Sequence, residues 1–144
     1  MKKSILKTVG IVVFSVVSMV SCSSDDNSSG SGNGRGNIDA AIGTFKGKIT
    51  LMNGPASGQE FFNATIIVTK ASNNKLKVEP KSGEAYSGLT PKTIQVYNNT
   101  QGILNDGNTP EGTFLYVMSS KSLTVQTQEQ AATDVTFTFQ GAKE

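Results

Sequence analysis

Apolar and polar residues alternate with a period of two through most of the chain after residue 43. Successive side chains of a strand point to opposite faces, so this alternation is typical of strands with one buried face. It predicts half-buried strands in the runs 45–51, 62–69, 75–79, 93–96, 123–126 and 135–140. The run Thr113–Met118 is apolar on both faces, and for it we expect a central strand that is covered on two sides.

Turn-forming residues separate these runs, at Asn53-Gly54-Pro55, Asn73-Asn74, Thr90-Pro91, Asn98-Asn99, Asn105-Asp106-Gly107-Asn108 and Ser119-Ser120. Short strands at such spacing indicate an all-β domain, either a barrel or a β-sandwich. The helix candidates are the segments 38–42 and 126–132. The second is polar, and a hairpin connection is the preferred interpretation.

The inward positions of these strands carry large apolar side chains. We expect them at Phe45, Ile49, Leu51, Phe62, Ile66, Val68, Leu76, Val78, Ile94, Val96, Phe114, Tyr116, Met118, Leu123, Val125, Val135, Phe137 and Phe139. An eight-stranded barrel is wide enough either to be filled by side chains or to hold one small ligand. The aromatic residues of this set favour a filled interior, with an interior pocket as the alternative.

The N-terminal residues have a different composition. Lys2, Lys3 and Lys7 precede or adjoin the apolar stretch Val9–Val20, in the order that a secretory signal peptide needs. The stretch is shorter than the roughly 20 residues of a membrane-spanning helix. We therefore interpret residues 1–21 as a signal peptide, and the alternative is an uncleaved anchor.

The signal peptide ends in a motif that can accept lipid. Met19, Val20, Ser21 and Cys22 resemble the lipobox of bacterial lipoproteins, in which a small residue precedes the lipidated cysteine. The resemblance implies that Cys22 carries acyl chains and that the membrane is a partner through them. The alternative is an unmodified cysteine. Cys22 is the one cysteine of the chain, so lipidation would leave none for a disulfide.

Ser24, Asp25 and Asp26 follow Cys22 after one further serine and resemble the export signal of Bacteroidota surface lipoproteins. This resemblance implies an outer-membrane protein on the cell surface. The alternatives are the periplasmic face and an acidic pair that only solvates a linker. Residues 27–37 contain no apolar side chain and four glycines, so residues 22–37 are predicted to form a flexible tether with a reach of roughly 20 Å. The remainder, 38–144, has the size of one domain.

The charge of the chain argues against nucleic-acid binding. The net charge of +2 becomes −1 once the three signal-peptide lysines are removed. A protein that binds nucleic acid must neutralise several phosphates with clustered cations. We therefore expect no nucleic-acid partner.

Catalytic chemistry is sparse. The chain has no histidine, which excludes a Ser-His-Asp triad and a histidine-bearing zinc site. The domain carboxylates Glu60, Glu79, Glu84, Glu111, Glu129 and Asp134 are expected to be solvated surface charges, and a glycoside hydrolase is a distant alternative. The segment Asn105–Glu111 lacks the ligand spacing of a calcium loop and is interpreted as a turn. We expect no catalytic residue, metal site or cofactor.

The domain has its own family resemblance. The opening Gly43–Ile49, the segment Asn74–Val78 and the closing Val135–Gly141 resemble the calycin-like, lipocalin-related domains of Bacteroidota lipoproteins. The resemblance implies a small antiparallel up-and-down barrel without a well-defined activity. The expected function is a non-catalytic binding module for a small apolar ligand, a glycan or a partner protein. The alternative is a structural subunit of an envelope assembly. Tyr86 and Tyr97 are predicted to point outward as contacts for ligand or partner, and the alternative for both is packing against neighbouring strands.

Overall fold

The computed structural model describes residues 37–105 and 109–144. A 3₁₀ helix, Asp39–Ala41, precedes eight strands in this part of the chain. The strands are β1 (Gly43–Leu51), β2 (Glu60–Ser72), β3 (Lys75–Pro80), β4 (Lys92–Asn98), β5 (Gly102–Asn105), β6 (Gly112–Val117), β7 (Ser122–Thr127) and β8 (Phe137–Lys143). The predicted lipobox Met19, Val20, Ser21 and Cys22 and the export signal Ser24, Asp25 and Asp26 lie outside the described residues.

The strands form a closed antiparallel barrel. Each strand pairs with the next one along the chain, and β8 pairs with β1 in the register Ile49 to Phe139. Closure leaves no unpaired sheet edge, which removes the usual route to edge-to-edge aggregation. The all-β, up-and-down barrel prediction is confirmed, and the alternative β-sandwich is not what the chain forms.

The two ends of the barrel differ. Short turns join β2 to β3, β4 to β5 and β6 to β7 at one end, which we name the closed end. The 3₁₀ helix lies there, and its last residue, Ala41, is buried in the core together with Ile38, which precedes the helix. The Asn98 side-chain amide donates to the Asn37 carbonyl at the same end. The longer connections, including 52–59, 81–91 and 128–136, lie at the opposite end, which we name the loop end.

Apolar side chains from the strands fill the middle of the barrel. The largest of those exposed by less than 2 % include Phe45, Phe114, Phe137, Phe139, Ile49, Ile66, Leu76, Ile94, Ile103 and Leu123. Because these side chains are almost inaccessible, no water-sized space lies against them. Phe45 and Tyr116 also make an edge-to-face contact with 5.7 Å between ring centroids, a favoured aromatic geometry.

The prediction that Phe62 points inward was wrong, because a β-bulge changes the register of β2. Gly47 pairs with Ala64, whereas Ile49 pairs with Phe61, so β2 has one more residue than β1 between these pairs. The extra residue is accommodated where Asn63 adopts a left-handed φ of 56°. Phe62 is consequently 68 % exposed, and Phe61 packs against the core instead.

The second correction concerns the strand predicted to be covered on two sides. In β6, Phe114 and Tyr116 are buried, but Leu115 points outward and is 39 % exposed. A closed barrel has one interior, so the outer face of β6 remains open. The pattern also missed β5, which has only four residues and two adjacent apolar side chains, Ile103 and Leu104. No helix of the described residues is long and apolar enough to cross a membrane.

Candidate functional site

A cleft of about 280 Å³ opens at the loop end of the barrel. Three connections and the adjoining strand ends form it: 52–59 after β1, 81–91 after β3 and 128–136 after β7. Its lining residues are Leu51, Ala56, Gln59, Phe61, Ala85, Tyr86, Gly88, Leu89 and Val135. Because the middle of the barrel is filled, this cleft lies at the mouth rather than in the interior.

Tyr86 fixes the connection 81–91 against the barrel. Its hydroxyl accepts a hydrogen bond of 2.7 Å from the Thr65 backbone N–H, and the Lys81 N–H donates to the Thr65 carbonyl. The ring lies 5.6 Å from the ring of Phe61. Tyr86 is only 8 % exposed, so the prediction of an outward ring was wrong for this residue. The ring lies in the cleft because its hydroxyl accepts a hydrogen bond from the Thr65 N–H, a backbone donor that β3 leaves unpaired.

The bulge of β2 places the second aromatic ring. The left-handed conformation of Asn63 turns Phe61 toward the core, where it lines the cleft beside Tyr86. Asparagine adopts this conformation more readily than most residues with a Cβ. The local sequence Phe61-Phe62-Asn63 thus presents one phenylalanine to the cleft and the other to solvent.

Backbone hydrogen bonds hold the opposite wall. The Leu51 N–H donates to the Gln59 carbonyl at 3.0 Å, and the Gly58 N–H donates to the Leu51 carbonyl at 2.9 Å. The Thr90 N–H donates to the Val135 carbonyl, and the Val135 N–H donates to the Thr90 hydroxyl. These bonds make the cleft a preformed feature of the barrel mouth.

The lining is chemically simple. Apart from the Tyr86 hydroxyl, Gln59 is the polar side chain among the lining residues, and the others present carbon. Ligand pockets have volumes of roughly 300–1,000 Å³, with mainly apolar walls and a few polar groups. A cleft of about 280 Å³ is therefore at the lower limit, and it suits a single ring or a short acyl chain.

A buried ion pair lies beside the cleft. Lys92, at the start of β4, is 4 % exposed, and its Nζ lies 2.5 Å from the Asp134 carboxylate and 3.2 Å from Gln130 Oε1. The Gln130 and Ala131 N–H groups donate to the same carboxylate oxygen. These donors, the Lys92 hydrogen bond above all, hold the pKa of Asp134 below its ordinary value of 3.8. The pair fastens the connection 128–136 over β4.

The stability of the barrel should depend on the charge of Asp134. A folded-state pKa below the unfolded one gives a stabilisation that is complete above about pH 4 and is lost as pH falls through the folded-state pKa. Asp134→Asn leaves Lys92 buried without an anion and should be less stable than wild type at pH 7. We expect the difference in unfolding free energy to shrink below about pH 4, measured by urea unfolding from pH 7 to 2. A constant difference across this range would contradict the prediction.

The other candidate carboxylates occupy surface positions. Glu60 pairs with Lys48 at 2.8 Å, and Glu84 lies 3.3 Å from Lys81. Glu79 pairs with a lysine of its own strand, and Glu129 accepts a hydrogen bond from the Asn53 amide. Asp134 differs from the expected solvated charge because Lys92 covers it. Among the described residues no group of three His, Cys, Asp or Glu side chains is placed to hold a metal ion.

Tyr97 lies elsewhere on the barrel. It is half-buried on the outer face of β4, where it pairs with Leu104 of β5, and Leu104 pairs with Leu115 of β6. The structure therefore separates the two tyrosines predicted as contacts. Tyr86 belongs to the cleft and Tyr97 to the outer wall.

Sequence reasoning missed most of the cleft. Leu51 and Val135 were assigned to the core alone, and Leu89 was not considered. Two features of the sequence pointed to the site. The first is the pair of adjacent phenylalanines that breaks the alternation at Phe61. The second is Leu89, which is the one large aliphatic residue of the connection 81–91 and lies three residues after Tyr86. Neither signal shows that the two segments meet.

The lining, the hydrogen bonds and the place at the loop end of the barrel are the features that define this cleft. The resemblance to calycin-like lipoprotein domains remains a prediction from the motifs. No protein-family model, no curated protein and no solved structure matches the chain.

Proposed function

We propose that the protein is a non-catalytic, lipid-anchored lipoprotein of the outer membrane whose loop-end cleft binds a small apolar ligand. The observation that carries the binding proposal is the preformed cleft lined by Leu51, Phe61, Tyr86, Leu89 and Val135. The anchor part rests on the lipobox and the export signal of the sequence.

The lining favours an apolar ligand over a glycan. A glycan presents many hydroxyl groups, which need several polar partners to replace their bound water. The cleft supplies the Gln59 amide, and the Tyr86 hydroxyl already accepts the Thr65 N–H. An aromatic ring or a short alkyl chain needs only the carbon surface of Phe61, Leu89 and their neighbours.

A specific observation favours a second candidate, an interaction subunit of an envelope assembly. Phe62 and Met52 are 68 % and 45 % exposed, and both lie where β1 and β2 reach the loop end. Large exposed apolar side chains are enriched at the centres of protein interfaces. A partner protein would cover them, whereas a small ligand in the cleft would leave them in solvent.

Filling the cleft should abolish binding of an apolar dye. Ala85 is an exposed residue of the lining, so Ala85→Phe introduces a ring into the cleft without disturbing the core. We expect the affinity for phenyl-naphthylamine to fall by at least about tenfold, because a single lost hydrophobic side-chain contact already has that magnitude. Fluorescence titration of unacylated residues 22–144, which include all eight strands, measures it.

The matched control is Ala71→Phe, an exposed alanine at the opposite end of β2. It should leave the affinity at the wild-type value. If wild type and both variants bind the dye equally, the cleft is not the site. Native mass spectrometry of protein from its own host then separates the alternatives: a bound saccharide would support a glycan ligand, and a stoichiometric protein an interaction subunit.

A further inference from the structure

The outer wall of the barrel is divided by charge. β1, β2, β3 and β8 contain Lys46, Lys48, Glu60, Lys70, Lys75, Lys77, Glu79 and Lys143. By contrast, residues 93–105 and 112–120 contain no charged residue, and the charged residues of the segment between them are Asp106 and Glu111. The charged residue of β4, Lys92, is buried. One half of the barrel is therefore charged and the other half neutral.

An apolar stripe crosses the neutral half. Tyr97, Leu104 and Leu115 are register partners on β4, β5 and β6, so their side chains lie side by side on the outer face. Val117 continues the stripe, and a shallow groove runs between Leu104, Leu115 and Val117. Leu115 is 39 % exposed, and the others are half-buried.

This wall can be buried at low cost. Removing a charged side chain from water carries a large desolvation penalty unless it gains a partner, whereas a neutral wall lacks that penalty. The stripe adds apolar area whose burial is favourable. A tyrosine beside leucines is also a common composition where protein meets a membrane interface.

The position of the N-terminal chain indicates what covers the wall. Residue 37 enters the described domain at the closed end, where Asn37 accepts a hydrogen bond from Asn98, the neighbour of Tyr97. Residues 23–36 contain no apolar side chain that could cover the stripe themselves. If Cys22 is acylated as proposed above, a tether of roughly 20 Å brings the bilayer within reach of this wall.

We propose that the apolar stripe Tyr97, Leu104, Leu115 and Val117 rests on the surface of the bilayer that holds the acyl chains. This inference depends on a lipid anchor, not on the ligand of the cleft. The tether supplies a high effective concentration, so a contact that is weak for a free domain suffices to orient a tethered one. The charged half of the barrel then faces the aqueous phase.

Two tryptophan variants test the orientation. The protein has no native tryptophan, and Cys22 is its one cysteine. Residues 22–144 can therefore be coupled through Cys22 to a maleimide lipid in phosphatidylcholine vesicles, which makes the test independent of natural acylation. The variants are Leu115→Trp on the stripe and Ile67→Trp on β2, an outward aliphatic residue that lies four strands away around the barrel.

Brominated acyl chains quench a tryptophan that touches the membrane. We expect quenching at least about threefold stronger for Leu115→Trp than for Ile67→Trp. Adding Leu104→Lys to the Leu115→Trp protein should reduce this quenching. Adding Ile67→Lys to the same Leu115→Trp protein should leave the quenching unchanged. Circular dichroism checks that every variant retains the wild-type fold.

Equal quenching at both positions, or none at either, overturns the proposal. Quenching at Leu115→Trp that persists with Leu104→Lys also overturns it, because a charge on the stripe must weaken a contact with lipid. If lipid does not quench Leu115→Trp, crosslinking from the stripe identifies what covers it instead. A crosslink to a second copy in the vesicles, or to another envelope protein in native membranes, assigns the wall to a protein. Failure of the anchor itself would appear separately, as a missing acyl mass on Cys22.

Discussion

Gly47→Ala is expected to lower the free energy of unfolding by more than about 3 kcal/mol, because β1 and β8 leave no space for a side chain there. A Cβ at Gly47 would lie 2.1 Å from the Gln140 carbonyl oxygen and 2.4 Å from the Gly141 Cα. Both are backbone atoms, so relief requires the two strands to separate. Gly47 and Gly141 are register partners in the pairing that closes the barrel. The substitution therefore acts on closure itself.

Urea unfolding followed by circular dichroism measures this effect. The matched control is Gly88→Ala, because a Cβ at Gly88 meets no atom within 4 Å and Gly88 is not among the positive-φ glycines. Its unfolding free energy should stay within about 1 kcal/mol of wild type, as for most surface substitutions. A Gly47→Ala protein as stable as the control would show that the two strands can separate at little cost.

The strands could be predicted from the sequence because every second residue along most of them is apolar and points inward. Phe137 and Phe139, for example, alternate with threonine and glutamine, and only a strand gives such a pattern one buried face. The phase of β2 could not be predicted in the same way. Phe61 and Phe62 are equally apolar, and only the left-handed Asn63 decides which of them is inside. Asparagine permits that conformation without requiring it.

The open outer face of β6 is a second feature that the pattern of apolar and polar residues could not predict. Leu115 lies beside Leu104 of β5 on the outer face, but the sequence does not show whether anything covers the two side chains. A central strand of a layered sheet and an uncovered barrel strand have the same composition. The prediction of two covered sides assumed the first arrangement.

The cleft depends on long connections, which have no periodicity to follow. Tyr86 was recognised as an aromatic residue in a loop, where outward orientation is the usual expectation. Its hydroxyl instead accepts the Thr65 N–H, a backbone donor of β2 left without a strand partner beyond Pro80. Which backbone groups remain unpaired is known only once the register of the strands is known.

If Cys22 is acylated as proposed, Cys22→Ala is expected to remove the protein from the outer membrane almost completely. A single myristoyl chain gives only marginal membrane binding, and two or more acyl chains are needed for stable attachment, at about 0.8 kcal/mol for each buried methylene. Alanine has no thiolate to accept the diacylglyceryl group, so all of this free energy is lost at once. The apolar stripe of β4–β6 is too small to replace it. Flotation of cell membranes, with mass spectrometry of the floated protein, measures the change.

Ser28→Ala, a substitution in the linker that removes no acylation site, serves as the control and should float as wild type does. Wild-type protein should carry the mass of its acyl chains on the fragment that begins at Cys22. The Cys22→Ala protein should be released as a soluble chain or retained as an unprocessed precursor with the signal peptide attached. If it instead reaches the outer membrane in wild-type amount, the attachment of this protein does not depend on lipid at Cys22. The mass of the floated chain then separates the two remaining explanations: a chain that keeps residues 1–21 is held by an uncleaved anchor, and a chain without them is held by another protein.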